Sequence, residues 1–226
     1  MVELQYFGHS FFTVKDSKGT VIIDPIFHST KTDLKRNLPI KTKLSHMKDV
    51  TAILISNETA EHFDKTAVED LAMKHCANVV AHDVVLQKLN IPRNQKNSIS
   101  SNVEIVVRGR KIKSMIAHYP KSFYPIGFML DCDNAKIYHA GVTSLLDTFS
   151  AIRPDVALLP ISSRTMDVVD AVRATKMMKP RIVVPMQYDI FEQNKKNDPV
   201  DFKKRIEESV LKTQAVILAP GQKMKI

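Results

Sequence analysis

Residues 50–64 read VTAILISNETAEHFD, a nearly unbroken apolar run that gives way to a polar tail before residues 66–75, TAVEDLAMKH, take up helical spacing. A run of this kind suits a strand buried on both faces, and its polar tail lies where a strand ends and a loop begins, which is where mixed α/β folds collect ligands. Asp64 or Thr66 is the expected cap of the helix that follows. Working outward, LQYF and FFTV flank Gly8-His9-Ser10, and a turn over residues 16–19 leads into VIID, so the amino-terminal quarter reads as β structure.

Beyond the helix, NVVAH predicts a strand, DVVLQKLN a short helix and residues 91–102 a loop, and then VEIVV, KIKSMIAH, GFMLDC and AKIYHAG predict four further strands. The last third alternates. SLLDTFSAI reads as helix, DVALLPI as strand, MDVVDAVRATKMM as a helix stopped by Pro180, RIVVPMQY as strand, PVDFKKRIEESVLK as a helix opened by Pro199, and AVILAP as a closing strand. Without an internal repeat or a low-complexity linker, the expectation is one domain over residues 1–226, α/β in class, with two mixed sheets packed together and helices outside in a four-layer αββα sandwich.

Composition narrows the function. At 44% hydrophobic and 25% charged residues the chain is an ordinary folded protein rather than a disordered one. No apolar run approaches the roughly 18 residues of a membrane span, and the amino terminus lacks a signal-like pattern, so a cytoplasmic protein without membrane contact is expected. Cys76 and Cys132 stand far apart in unrelated settings and match neither a disulfide framework nor a CxxC site. The 33 Lys and Arg against 24 Asp and Glu give a net charge of +9, which suits a small anionic ligand or nucleic acid. Basic residues gather at Lys31, Lys35, Arg36, Lys41, Lys43 and Lys48, at Arg108-Arg110-Lys111-Lys113, at Lys195-Lys196 and at Lys203-Lys204-Arg205, without the interleaved aromatics of a base-stacking surface. There is no G-x-S-x-G elbow or Gly-rich phosphate loop, and with 6 glycines in all the hydrolase-elbow, kinase and dehydrogenase readings have little support.

Four polar clusters directly follow strands: residues 57–64, His118-Tyr119, residues 139–143 and Gln187-Tyr188. Taken together with FGHSFF, VIIDP, IYHAGVT, RPDVALLPIS followed by TMDVVDAV, and KPRIVVPMQY, the ordered series resembles the metallo-β-lactamase superfamily across nearly the whole chain. The branch it looks most like is that of small metal-dependent hydrolases similar to L-ascorbate-6-phosphate lactonase. That resemblance implies the αββα fold and a centre in which two divalent metals activate a hydroxide against a carbonyl or phosphoryl group.

The resemblance also implies a depleted ligand set. The family's H-x-H-x-D-H places its first two histidines on Asn57 and Thr59 and its aspartate on Glu61, and only His62 matches. The third histidine of the first metal falls on His118, which matches; the bridging aspartate of G-D-T falls on Val142, and the histidine of P-x-H-Y falls on Gln187. An amide, a hydroxyl and an isopropyl group are poor substitutes, so a binuclear centre is not expected. Glu61, His62 and His118 form a set of two histidines and one carboxylate. They either hold one weakly bound zinc, manganese or iron ion between the former sites, or persist as hydrogen-bonding residues in a polar pocket bordered by Asn57, Thr59, Val142 and Gln187. His9 and His139 fall on positions that support the site without ligating metal, Asp24 could orient a histidine or cap a turn, and His28, His46, His75 and His82 read as solvated.

Two functions follow: a weak or single-metal hydrolase of an ester, lactone or phosphoester, or a non-catalytic binding or scaffold module on the same fold, for nucleic acid or another anion.

Overall fold

The computed structural model describes residues 1–27, 37–38, 40, 42–162, 164–190 and 198–226. The chain opens with β1 (Glu3–Gly8), β2 (Phe11–Asp16) and β3 (Gly19–Ile23), and continues through β4 (Val50–Leu54), β5 (Asn78–Ala81) and β6 (Lys96–Ser98) to make most of one sheet. A second sheet is built from β7 (Glu104–Val107), β8 (Arg110–Ile116), β9 (Ile126–Cys132), β10 (Ala135–His139), β11 (Val156–Pro160), β12 (Ile182–Met186) and β13 (Gln214–Ala215), laid in sequential order. The last strand, β14 (Lys223–Lys225), returns to pair antiparallel with β1 and brings the first sheet to seven strands as well.

Side-chain alternation explains why the sheets stack. Phe12, Val14, Val21, Ile23, Ala52 and Leu54 point into one core with Phe128, Leu130, Ile137 and Leu158 of the opposite sheet, whereas Phe11, Ile22 and Ile53, one residue out of phase, join a second core. That second core is covered by α1 (Lys65–His75) and α2 (Asp83–Leu86), through Val68, Leu71, Val85 and Leu86. On the other outer face α3 (Val168–Met178) and α4 (Pro199–Glu207) bury Ala171, Ala174, Met178, Phe202 and Ile206. The expected αββα layering is therefore the architecture observed. The caps agree too: Asp64 accepts from Ala67 N–H at 3.1 Å to start α1, and Asp198 caps α4 with Pro199 in its first turn.

Three local expectations fail, the first over residues 91–102, where the expected loop holds strand β6, paired parallel with β5. The segment SLLDTFSAI forms only the short 3₁₀ turn Asp147–Ala151, and its opening residue joins the strand-end region, Ser144 N–H donating to His118 O at 2.9 Å. Within AVILAP only Ala215 lies in a strand, β13 being two residues long at the edge of the second sheet, and the last strand of the chain is β14, at the edge of the first.

The register puts the functional end of the molecule in one place. Because β1, β3, β4 and β5 run in the same direction in one sheet and β8, β10, β11 and β12 in the other, the residues after their carboxyl ends emerge at a common edge.

Candidate metal and ligand site

At that edge the two sheets are laced together by the site residues themselves. Gln187 N–H donates to His9 O at 3.1 Å, Ile126 N–H to Ser56 O at 2.9 Å, and the His139 ring Nε2 bonds Ser10 O at 3.0 Å. His139 Nδ1 accepts from Gly141 N–H at 3.1 Å, so the Nε2–H tautomer is set, and burial pushes this imidazole below its ordinary pKa and keeps it neutral. Gly141 itself has φ +64°, and a Cβ there would come within 2.5 Å of Ile126 O. His9, Asp24 and Gln187 also adopt left-handed φ values of 57°, 46° and 65°. Non-glycine residues held in that region concentrate at functional sites.

Asp24 is the anchor. Fully buried, it accepts Ser56 N–H and Ser56 Oγ–H at 2.7 Å each, and His62 Nδ1 lies 2.6 Å from its Oδ2. Ser10 Oγ and Ser56 Oγ lie 3.0 and 3.1 Å from the same ring nitrogen. Both hydroxyls are thus on the carboxylate side of the imidazole. A serine nucleophile needs the opposite nitrogen, so this is no Ser-His-Asp triad. With Nδ1–H given to Asp24, His62 keeps Nε2 as its lone-pair atom, the arrangement seen around metal-binding histidines.

Glu61 and His9 complete the group. Each of His9, Glu61 and His62 offers a ligand atom, and these atoms all lie within 4.8 Å of one another. Glu61 Oε2 is 3.8 Å from His9 Nε2, and the rings of His9 and His62 meet edge-on with centroids 5.1 Å apart. The other carboxylate oxygen, Oε1, accepts Arg164 Nη1–H at 2.9 Å. Arg164 in turn hydrogen-bonds the side chain of Tyr119, whose hydroxyl is pushed to a higher pKa by burial and by the Glu61 charge.

The residues expected from the sequence divide accordingly. Asp24 orients His62, His139 braces the floor, and Glu61 and His62 sit together. His9 belongs inside the group rather than beside it: at the left-handed bend after β1 it is buried with Nε2 3.8 Å from Glu61 Oε2. His118 stands outside it. Its backbone bonds Thr143 Oγ1 and Ser144 N–H, while its side chain is exposed on a cleft of about 690 Å³ shared with His82, Tyr119, Phe123 and Tyr124. Asn57 Oδ1 is taken by Thr59, accepting its N–H at 2.9 Å and its hydroxyl at 2.6 Å. Gln187 Nε2–H donates to Gly141 O at 3.0 Å, and Val142 is an apolar buried side chain.

Arg164 carried no sequence signal: an isolated arginine in a loop after a strand reads as solvated until the fold brings it to Glu61. The basic clusters also change meaning. Arg110 is fully buried in an ion pair with Asp16, and Lys203, Lys204 and Arg205 each face an acidic residue four positions away on α4 or at its carboxyl-terminal cap. Lys31, Lys35, Arg36, Lys41, Lys195, Lys196 and His28 lie outside the described residues. His82 is not simply solvated; it caps α2 and stacks on Tyr124 with ring centroids 3.9 Å apart. Cys132 is buried and its thiol pushed up to about 12 by burial, so it is inert. No helix among the described residues is long and apolar enough to cross a membrane.

The fold has counterparts in known proteins. Residues 3–187 match the family model described as "Beta-lactamase superfamily domain". A UPF0173 metal-dependent hydrolase of Desulforamulus reducens is 30% identical over 239 residues, covering 100% of both chains. The chain belongs to the UPF0173 metal-dependent hydrolase family, within the beta-lactamase superfamily. An Aeropyrum pernix member is 29% identical over 98% of this chain and 96% of its own. Among solved structures, Igni18, described as a novel metallo hydrolase from the archaeon Ignicoccus hospitalis, superposes with a TM-score of 0.81 at 26% identity, covering 99% of this chain and 97% of the other. A possible metal-dependent hydrolase from Veillonella parvula gives the same TM-score, 0.81, at 12% identity, a likeness of fold alone.

Proposed function

We propose that this UPF0173 protein has given up the binuclear centre of its superfamily and keeps a single-ion site at His9, Glu61 and His62, serving at most slow hydrolysis of an ester, lactone or phosphoester. The observation that carries this reading is the pairing of Asn57 with Thr59: the amide oxygen that would stand in for a lost histidine is consumed within its own turn, while the neighbouring Glu61 and His62 converge on His9. Val142 offers no donor at the bridging position, and Gln187, whose Nε2–H is given to Gly141 O, brings only a neutral amide oxygen where the family has an imidazole. Two cations a few ångströms apart with no bridging anion repel strongly.

The donor set fits one ion. Two imidazoles and a carboxylate form the ligand set of many mononuclear zinc and iron sites, and manganese accepts it as well. A divalent ion held there would supply Lewis acidity toward a carbonyl or phosphoryl oxygen. The chain's own residues do the rest. Asp24 fixes the His62 ring, and Arg164 holds one oxygen of Glu61 and leaves the other facing His9. The resemblance to L-ascorbate-6-phosphate lactonase favours a lactone or a phosphorylated ester.

A second reading, a non-catalytic binding module, draws on the same Asn57–Thr59 closure, since a site that has lost most of its ligands has lost the means of rapid turnover. Elemental analysis of protein purified without chelator, coupled to assays on lactone and phosphodiester substrates, separates the two. One ion per chain with metal-dependent turnover supports the hydrolase, and metal-free protein that stays inactive after loading supports the binding module.

A further inference from the structure

We propose that Arg164 is an internal cation that guards the His9–Glu61–His62 group, neutralising Glu61 in the metal-free protein and raising the metal concentration at which the site fills. The inference rests on the single-ion reading above and adds a residue that sets the affinity of that site.

Glu61 is only 19% exposed, so its charge is poorly solvated and needs a partner. Arg164 supplies one from the loop after β11, Nη1–H to Oε1 at 2.9 Å, and Tyr119, from the loop after β8 in the same sheet, hydrogen-bonds the guanidinium. A guanidinium does not lose its proton, so the compensation persists at all working pH values. Its positive charge then stands against any divalent cation approaching His9, Glu61 and His62. The interaction acts across a few ångströms in a partly buried setting, where it is worth a substantial change in affinity.

Zinc and manganese chlorides titrated by calorimetry into the chelator-stripped full chain test the proposal, with melting temperature recorded for each variant. Arg164→Gln, which removes charge but keeps hydrogen-bonding capacity, is expected to tighten metal binding by about tenfold or more, while Arg164→Lys stays within about threefold of the wild type. In a Glu61→Gln background neither substitution is expected to restore binding. Arg164→Gln that binds metal equally or more weakly than a metal-binding wild type overturns the guard and leaves the single-ion site standing. If neither wild type nor Arg164→Gln binds metal, or if Glu61→Gln binds as well as wild type, the site itself is wrong and the guard falls with it. A wild type that stays empty while Arg164→Gln fills supports the proposal directly.

Discussion

His62 Nδ1 lies 2.6 Å from Asp24 Oδ2, and neither side chain is more than 1% exposed. The pair locks the imidazole before any ligand arrives. Asp24→Ala removes the acceptor of Ser56 N–H, Ser56 Oγ–H and His62 together. Chemical denaturation should show a loss of about 3–5 kcal/mol, and in protein that still folds the metal affinity should drop by about 10–100-fold. A variant with unchanged affinity would show that Asp24 serves only the turn before Pro25.

His9 and His118 separate two versions of the single-ion site. With His9 in the group and the His118 side chain exposed, His9→Ala should abolish metal binding in calorimetry, and His118→Ala should leave the dissociation constant within about threefold. The reverse result would return the ion to the set expected from sequence.

Metal removal should hardly change stability. The core between the sheets is built from apolar side chains of both, and Glu61 already has Arg164 as counter-ion. Melting curves with and without a strong chelator should coincide, whereas a large fall would mean that the metal organises the fold.

The pH dependence has a definite sign. Burial lowers the His139 pKa from its ordinary 6.5, so above that value the ring is neutral in folded and unfolded chains alike. As pH falls through 6.5 the unfolded chain takes up a proton that the folded ring refuses; stability is lost until the pH drops below the folded value. Denaturation midpoints should therefore fall between neutral and mildly acidic pH, with a slope of up to about 1.4 kcal/mol per pH unit from this group, and His139→Gln should flatten that part of the curve. An unchanged slope in the variant would assign the loss to other groups.

Much of this was legible in the sequence. Nearly continuous apolar runs such as VIID and VTAILIS gave their strands because one face of each meets the opposite sheet and the other the core under the helices, and Asp64 and Pro199 marked helix starts through local effects alone. Glu61 and His62 were visible because they follow a strand end. The Glu61–Arg164 contact spans 103 residues of sequence and depends on sheet register, and the inward turn of His9 depends on a left-handed backbone angle that histidine does not announce. SLLDTFSAI had helical spacing but forms only a 3₁₀ turn over Asp147–Ala151.

The most direct measurement is anomalous scattering from a crystal soaked in zinc or manganese. One peak is expected per chain, about 2.0–2.2 Å from imidazole nitrogens of His9 and His62 and from a carboxylate oxygen of Glu61. Two peaks in the cleft, or a single peak at His118 with Glu61 still held by Arg164, would contradict the single-ion site.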